Sequence, residues 1–583
     1  MSAPRDLGAF LRLLTREREL VEVAVEVDPH LELAEVHRRV IAAGGPALSF
    51  RRVKGSDHPV VTNLFGTQRR IELAFGREPE RILAEVARLP SELVPPTPGK
   101  LWKKRALFWR LGRVGARERG SGAVCEVTEA PGLTRLPATQ SWPRDGGRFF
   151  TLPLVATRHP ETHVPNLGLY RVQVFDDATT GLHMQIGKGG GFHLAAAEAR
   201  GEPLPVVIHL GGPPALILAA IAPLPENVPE GLVASLVLGE RVRLARNRHN
   251  ELPLFADAEV ALVGELRPRE RRPEGPFGDH YGYYSETHDY PVFRCQSVYR
   301  RRAPVIPATV VGKPRQEDFF LGDYLQKLLS PLFPLAMPNV RALWSYGETG
   351  YHSLAAAVVH ERYRREAMAA AFRILGEGQL SLTKFLLAVD RPLDLRDFRA
   401  VLTHVLERAD FRTDLFLFSN LAMDSLDYAG PRINEGGKGV LLGLGEPIRK
   451  LPREFQGAPR PPVRSVRVFS PGCLVLEGPA FADWPLLVLS DDAVRATRST
   501  INFLWTTFTR FDPGRDVHAR RIELVHSHPS FTPPLLIDAR RKPGYPEELL
   551  CDPDTAHLVE RRWKSYFPAG GVEMGDSERA ALD

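Results

Sequence analysis

Residues 384–414, KFLLAVDRPLDLRDFRAVLTHVLERADFRTD, open with an apolar run that favours a buried strand and continue, after a turn, with helical spacing. An echo lies 102 residues further on, in LLVLSDDAVRATRSTINFLWTTFTRFDPGRD (486–516). Each copy predicts strand, turn, helix and turn, so we expect a partially duplicated α/β unit; chance likeness of two βα units is the alternative. The shared positions are Leu387/Leu489, Asp390/Asp492, Arg408/Arg510, Asp410/Asp512 and Asp414/Asp516.

The rest of the chain divides outward from this repeat. Residues 304–455 and 456–583 are expected to form a C-terminal α/β domain and a second α/β unit that ends in a helix. Upstream, residues 120–303 hold short β-branched and aromatic runs between Gly and Pro turns, typical of a β-barrel or sandwich. Residues 1–99 alternate helical and strand patterns, which predicts an N-terminal α/β domain. The predicted fold class is therefore α/β plus β.

Composition excludes several classes of protein. The 583 residues are 43% hydrophobic and 25% charged, which excludes a mainly disordered chain. The net charge of +6 is too low for a dedicated nucleic-acid binder. Four well-separated cysteines without a CxxC pair indicate neither a zinc knuckle nor a disulfide framework. No apolar run is long enough to span a membrane, and the N-terminus predicts an amphipathic helix rather than a signal peptide, so we expect a cytoplasmic protein.

The segment 100–119 holds eight Lys or Arg residues and one acid, together with Trp102, Phe108 and Trp109. A charge run is usually a solvated connection, and we predict a basic linker. A patch that contacts anionic lipid at the membrane periphery is the sharper alternative. Nucleic-acid binding through the same residues ranks lower because no binding module is recognisable.

Two further segments carry candidate chemistry. In RRPEGPFGDHYGYYSETHDYP (271–291), Glu274 and Asp279 flank a Gly-Pro-Phe-Gly turn. Two carboxylates held by a turn, with an arginine nearby, are suited to acid–base work, although a solvated surface loop is the alternative. In PNLGLYRVQV, Asn166 and Arg171 lie five residues apart, a spacing that points two side chains to opposite faces of a regular strand.

Ordered blocks from Asp6 to Gly439 resemble the UbiD family of decarboxylases over about three quarters of the chain. They include DLGAFLRLLTRERELVEV, NLFGTQRR, NLGLYRVQV, IAPLPENVPEGLVASLVLG, EGPFGDHYGYYSE and SLDYAGP. The length resembles the long branch associated with menaquinone biosynthesis. The resemblance implies reversible, non-oxidative decarboxylation of an aromatic or α,β-unsaturated acid, with a quinone precursor as the expected substrate. It also implies a split β-barrel related to flavin reductases at residues 120–303, and a homodimer or larger homo-oligomer.

The resemblance further implies prenylated FMN, supplied by a flavin prenyltransferase, with manganese or a similar divalent ion and potassium often nearby. Arg171 would clamp the substrate carboxylate, Glu274 would donate the proton and Asp279 would support the network. Asn166 and Glu230 match the metal ligands. The positions matched to cofactor binding are Thr151, Asn166, Gly168, Lys188, Ala220, Ile221, Ala222 and Lys438.

The sequence departs from the family pattern at two places. Gly187 stands where the family has a metal-binding histidine, and His183 or His193 would have to replace it. After Lys438 the chain has GVLLG rather than Met-Gly-Ile/Leu-Asp. The alternative hypothesis is therefore a catalytically impaired relative that binds flavin or serves as an assembly partner.

Overall fold

The computed structural model describes residues 3–185, 189–224, 228–313, 315–459, 461–478 and 484–577. These residues form two compact units. The first contains the described residues up to 328 together with 548–577, and the second contains residues 329–547. The α/β character expected from the sequence is confirmed, since helices and sheets alternate in both units. The bounds of the two units differ from the predicted domain division.

The helices of the described residues are α1 (Leu7–Arg16), α2 (Glu32–Ala42), α3 (Gln68–Phe75), α4 (Glu78–Leu93), α5 (Pro98–Lys103), α6 (Arg105–Leu111), α7 (Gly189–Arg200), α8 (Pro214–Ala220), α9 (Glu230–Leu238), α10 (Glu317–Leu329), α11 (Phe333–Ala336), α12 (Glu366–Gly376), α13 (Phe398–Arg408), α14 (Ala493–Thr497), α15 (Thr500–Phe508) and α16 (Pro553–Tyr566).

The strands of the first unit are β1 (Leu20–Val27), β2 (Ala47–Val53), β3 (Val60–Thr62), β4 (Ala116–Glu118), β5 (Val127–Glu129), β6 (Phe149–Phe150), β7 (Pro153–Arg158), β8 (Pro165–Leu169), β9 (Val172–Val174), β10 (Thr179–Leu182), β11 (Leu204–Leu210), β12 (Val242–Ala245), β13 (Leu254–Phe255), β14 (Val260–Glu274), β15 (Phe277–Gly278), β16 (Tyr284–Ser285), β17 (His288–Arg300) and β18 (Ile306–Pro307). Those of the second unit are β19 (Val340–Ser345), β20 (Leu354–Val359), β21 (Phe385–Val389), β22 (Leu415–Ala422), β23 (Glu435–Gly443), β24 (Ser465–Ser470), β25 (Cys473–Glu477), β26 (Leu486–Leu489), β27 (Val517–Val525) and β28 (His528–Asp538).

A four-stranded sheet of order β1-β2-β3-β18 forms the N-terminal part of the first unit. Helix α1 begins at Asp6, whose carboxylate accepts a hydrogen bond from the Ala9 N–H, and it buries Leu7, Phe10 and Leu14. Strand β18 pairs with β3, so the boundary predicted at residue 304 differs from the structure. The boundary differs because residues 305–307, with the buried Ile306, add the last strand to the N-terminal sheet.

Nine antiparallel strands form the central sheet, which carries most of the site residues. Its path is β6-β9-β10-β17-β14-β11-β7-β8, and β5 pairs with β17. The strand-rich region expected at 120–303 is therefore present, but the path does not close into a barrel within the described residues. The split-barrel description stays a prediction.

The predicted basic linker is more ordered than expected. Residues 100–119 include α6, most of α5 and strand β4, and β4 pairs in parallel with β12 of the same unit. Trp102 and Trp109 are 69% and 65% exposed, whereas the Lys104 ammonium forms ion pairs with Glu85 and Glu92. The segment is thus a helical surface with exposed indole rings rather than a bare connection.

The C-terminal tail returns to the first unit, which differs from the predicted domain 456–583. Helix α16 packs on α2, with Val559 and Tyr566 buried in the core that β1 and β2 share. The Glu560 carboxylate reaches Arg39. Helix α16 returns to the first unit because its apolar stripe, the feature that predicted the helix, must be covered by another apolar surface.

The second unit contains two five-stranded sheets with the same topology, β19-β20-β21-β23-β22 and β24-β25-β26-β28-β27. In each sheet the three inner strands are parallel and both outer strands are antiparallel to them. We call residues 340–443 the first copy and residues 465–538 the C-terminal copy. Phe398 of the first copy contacts Phe469 and Phe503 of the C-terminal copy in one apolar core. Matching topology supports the predicted duplication.

Equivalent residues of the repeat make equivalent hydrogen bonds. The Asp410 N–H donates to Asp414 Oδ2 over 2.8 Å, and the Asp512 N–H donates to Asp516 Oδ2 over 2.7 Å. The copies differ between their last two strands. Residues 423–434 form a twelve-residue connection in the first copy, whereas two residues, His526 and Ser527, join β27 to β28.

Candidate active site

Arg171 lies at the centre of a buried ionic network. Its Nε and Nη2 atoms donate to the two carboxylate oxygens of Glu274, both over 2.8 Å. Its Nη1 donates to Asp279 Oδ2 over 2.7 Å, and Nη2 also donates to the Ser285 hydroxyl over 2.9 Å. The Glu274 residue is 0% exposed, and the other two charged residues are buried. The structure thus brings together the three residues predicted as catalytic; their roles stay predictions.

Strand geometry explains why these residues meet. Glu274 is the last residue of the long strand β14, and the chain then enters the β15–β16 hairpin, whose tight turn begins at Asp279. Arg171 follows β8, before the backbone resumes as β9. Strand β8 pairs with β7, whereas β9 pairs with β6 and β10. Because the strand is interrupted there, the alternation rule does not apply between Asn166 and Arg171.

The network holds both acids in the ionised form. Burial alone would raise the pKa of Glu274, but hydrogen bonds from Arg171 and His183 outweigh it and lower the pKa to about 2. Burial likewise opposes ionisation of Asp279, and hydrogen bonding to His280 with the charge of Arg171 lowers its pKa. The pKa of Arg171 is raised, since its carboxylate partners outweigh its own desolvation.

Sequence reasoning missed the role of His183 in this network. Its Nδ1 lies 3.2 Å from Glu274 Oε2, and its Nε2 lies 3.2 Å from the Gln185 side-chain nitrogen. Burial and the nearby Arg171 lower the pKa of His183, so the neutral ring donates Nδ1–H to the carboxylate. The ring also lies 4.3 Å from the Tyr290 ring. The sequence marked His183 only as a possible replacement for the metal-binding histidine missing at Gly187, and no local pattern placed it beside Glu274.

The residues predicted to hold a metal form a separate group. Asn166 and Leu167 lie on β8, and the Leu167 N–H donates to Glu230 Oε2 over 2.9 Å. The Asn166 Nδ2 atom is buried and makes no hydrogen bond within the described residues; the Tyr170 hydroxyl lies beside it without hydrogen-bond geometry. Burial raises the pKa of Glu230. The amide oxygen of Asn166 and the carboxylate of Glu230 are the kinds of oxygen ligand that a hard cation bound to phosphate prefers.

The described residues give this site no cluster of the usual metal-binding side chains. No group of three or more His, Cys, Asp or Glu residues there is arranged to hold a metal ion. His193 Nδ1 instead lies 2.8 Å from the Thr157 hydroxyl, and His183 is engaged by Glu274. Gly187 and Lys188 lie outside the described residues.

The other predicted cofactor positions are distributed over both units. Thr151 is buried and its hydroxyl accepts a hydrogen bond from the Thr309 N–H. Gly168 lies on β8, and Ala220, Ile221 and Ala222 lie at the C-terminal end of α8. Lys438 lies on β23 of the second unit, where its ammonium donates to the Thr383 carbonyl over 3.0 Å. Burial lowers the pKa of Lys438 to about 8.

A buried guanidinium held by two carboxylates can bind a substrate carboxylate and assist a proton transfer, which is the chemistry of a carboxy-lyase. Three domain models of 3-octaprenyl-4-hydroxybenzoate carboxy-lyases match the chain: the N-terminal domain at residues 11–89, the Rift-related domain at 117–314 and the C-terminal domain at 319–443. The chain therefore belongs to the UbiD family of decarboxylases.

Relatives agree with this assignment, and solved structures share the fold. A Chlamydia trachomatis protein is 50% identical over 96% of this chain and 100% of its own length. A Chlamydia pneumoniae protein, named as one of the subunits of 4-hydroxybenzoate decarboxylase, is 48% identical over 96% of this chain and 98% of its own length. Vanillic acid decarboxylase of Sedimentibacter hydroxybenzoicus has a similar fold, with a TM-score of 0.69 and 24% identity over 79% of this chain and 97% of that one.

A second solved structure, the UbiD-class enzyme HmfF of Pelotomaculum thermopropionicum in complex with FMN, gives a TM-score of 0.61. It is 24% identical over 78% of this chain and 97% of that chain. An evolved dimeric form of the same enzyme was solved with prFMN. No described helix of the present structure is long and apolar enough to cross a membrane.

Proposed function

We propose that this protein decarboxylates an aromatic carboxylic acid of the hydroxybenzoate type, a quinone precursor, and that it uses prenylated FMN. The observation that carries the proposal is the buried Arg171–Glu274–Asp279 network. The name of the Chlamydia pneumoniae relative supports the substrate class, and HmfF, solved with FMN and with prFMN, supports the cofactor.

Substrate binding would redistribute the bonds of Arg171. A substrate carboxylate competes with Glu274 for the same guanidinium donors, because both are planar two-oxygen acceptors. Once Arg171 turns toward the substrate, its hydrogen bonds no longer offset the effect of burial on Glu274. The pKa of Glu274 therefore rises. Glu274 can then hold a proton at neutral pH, which it cannot do with a pKa of about 2.

The contact with His183 would keep the protonated acid in place. His183 does not leave with Arg171, so the Glu274 carboxyl stays oriented while it delivers its proton to the carbon that loses carbon dioxide. Prenylated FMN, when bound, supplies the acceptor for the electrons released at that step. Asn166 and Glu230 would hold a divalent ion such as manganese at the cofactor phosphate, and Thr151 and Lys438 would contribute to cofactor binding. Potassium nearby and a homo-oligomeric assembly belong to the same proposal.

Coexpression with a flavin prenyltransferase tests this function. The purified protein should carry a flavin of the prenylated mass and should release carbon dioxide from 4-hydroxybenzoate or a related acid. In deuterated water it should also exchange the proton on the product carbon. A protein that retains no flavin, releases no carbon dioxide and exchanges no proton would contradict the proposal.

A catalytically impaired, flavin-binding relative is the second candidate, and Gly187 is the observation that favours it. Manganese-dependent flavin retention equal to that of an active family member would count against this candidate. Retention of flavin without carbon dioxide release on a panel of aromatic acids would favour it.

A further inference from the structure

The family models end at residue 443, yet the second unit continues to residue 547 and contains the C-terminal copy. We propose that this copy positions Lys438: its turn at residues 512–516 (DPGRD, called here the DPGRD turn) fixes the backbone that carries the Lys438 ammonium. The inference rests on the proposed function, because Lys438 is proposed there as a cofactor-binding residue. It assigns a task to a part of the chain that the family models do not match.

A buried carboxylate makes the principal contact between the two copies at this point. Asp512 Oδ2 accepts a hydrogen bond from the Gly437 N–H over 2.8 Å, and Gly437 directly precedes Lys438. Asp512 Oδ1 accepts from the Gly514 N–H over 2.7 Å, which fixes the carboxylate plane. Asp512 is 2% exposed. Hydrogen bonds to a buried charged acceptor are among the stronger ones in proteins, so the contact restrains strand β23 beside Lys438.

The two backbones are too close for any side chain at this contact. A Cβ atom on Gly437 would lie 2.3 Å from the Gly514 nitrogen, and one on Gly514 would lie 2.6 Å from the Ser419 hydroxyl oxygen. Such distances are shorter than van der Waals contact. The double glycine of EGGK therefore has a packing reason, since it lets the DPGRD turn rest directly on β23.

Comparison of the two copies shows how the equivalent turn differs. In the first copy the Asp410 carboxylate binds its own turn. It accepts hydrogen bonds of about 3 Å from the backbone N–H and the guanidinium of Arg412. Gly514 occupies the position equivalent to Arg412. Without that guanidinium, Asp512 is available to the Gly437 N–H. The Asp410 carboxylate thus binds its own turn, whereas the equivalent Asp512 carboxylate binds both its own turn and strand β23 of the first copy.

A second contact from the same region acts on the partner of Lys438. The Lys438 ammonium donates to the carbonyl of Thr383, the residue before Lys384. Lys384 forms a 2.7 Å ion pair with Asp427, and its ammonium lies 5.5 Å from the Phe511 ring centroid. The DPGRD turn and the residue before it therefore contact both backbone segments that orient Lys438.

Hydrogen exchange and FMN binding test the inference on the full chain. Asp512→Ala should raise deuterium uptake in peptides covering residues 430–440 and weaken FMN binding about tenfold, the equivalent of about 1.4 kcal/mol. Asp512→Asn, which keeps one acceptor oxygen, should show a smaller effect. Asp410→Ala is the matched control, because it removes the equivalent carboxylate of the first copy; it should leave both readouts within about twofold of wild type. Thermal unfolding of all three variants identifies any that fails to fold.

The outcomes separate this inference from the proposed function. Unchanged exchange at 430–440 in both folded Asp512 variants overturns the inference, and so does raised exchange with unchanged FMN affinity. Equal effects of Asp410→Ala and Asp512→Ala would also overturn it. If the wild-type protein does not bind FMN, the cofactor part of the proposed function fails, while the exchange data still decide whether the DPGRD turn holds the Lys438 strand.

Discussion

Replacing Glu274 by Gln removes the negative charge that binds Arg171 while keeping the shape of the side chain. In the free protein the pKa of Glu274 is lowered from 4.5 to about 2. A carboxyl whose folded-state pKa is lowered contributes stability above its unfolded pKa, and that contribution is lost as the pH falls toward the folded pKa. The contribution at pH 7 is about 3 kcal/mol, from about 2.5 pKa units at about 1.4 kcal/mol each.

The loss should therefore be visible between pH 7 and pH 3. With these two pKa values, about 2 kcal/mol of the contribution disappears over that interval. Wild-type protein should lose about 2 kcal/mol more of its free energy of unfolding than the Glu274→Gln variant. Urea unfolding should be read by pulsed hydrogen exchange of peptides from residues 260–285, so that only the unit that contains the network is measured.

Glu270→Gln is the matched control for this experiment. Glu270 lies on the same strand, four residues earlier, and pairs with Arg294 at the protein surface. Surface ion pairs contribute little, so this variant should follow the wild-type pH dependence. If Glu274→Gln and wild type lose stability in parallel from pH 7 to pH 3, the ionised Arg171–Glu274 pair inferred here is wrong.

Three further predictions follow from the site residues and the basic segment. Asn166→Ala should lower bound manganese and flavin at least tenfold, measured by elemental analysis and flavin absorbance of the purified protein. His193→Ala should leave the metal content unchanged, because His193 belongs to no group of three His, Cys, Asp or Glu side chains that could hold a metal in the described residues. FMN affinity should fall about tenfold from pH 7 to pH 9 as Lys438, with a pKa of about 8, loses its proton. The Lys438→Met variant should bind FMN weakly at both pH values. Fluorescence titration measures the affinities, and a constant wild-type affinity would contradict the prediction. The lipid-binding alternative for residues 100–119 requires that a Trp102→Ala/Trp109→Ala double variant pellet less than wild type with anionic vesicles, whereas Lys104→Ala pellets like wild type because Lys104 already pairs with Glu85 and Glu92. Equal pelleting of the double variant and wild type leaves the segment as a basic linker.

The sequence could predict those parts of the site that depend on local geometry. Glu274 and Asp279 flank a turn of fixed shape, so the local pattern predicts that the two carboxylates lie close together. Their contact with Arg171, more than 100 residues earlier, depends on the order of the strands in the central sheet. The repeat was likewise visible, because a strand pattern followed by helical spacing recurs in residues 384–414 and 486–516 at an offset of 102. Family resemblance added the role of each residue, which no spacing could supply.

Long-range pairing accounts for what the sequence could not predict. His183 joins the network only because strand β10 pairs with β17, which in turn pairs with β14, an order that no local pattern encodes. The return of α16 to the first unit depends on a match between its apolar stripe and α2, more than 500 residues away. The sequence showed the DPGRD turn only as part of the repeat. Its hydrogen bond to Gly437 could not be predicted, because that bond forms only when both copies are folded.

The short turn at His526–Ser527 makes this protein a natural acceptor for loop transplantation. Strands β27 and β28 are the equivalents of β22 and β23, which residues 423–434 connect in the first copy. Because both pairs are antiparallel, the ends of β27 and β28 can accept the same connection. Both turn residues have positive φ values, 50° and 65°, as in a tight hairpin, and a longer connection would relax that requirement. A connection at an exposed tip costs little when it is lengthened. Grafting the twelve-residue connection there would convert a pseudo-symmetric scaffold into one with two comparable loops on a single chain.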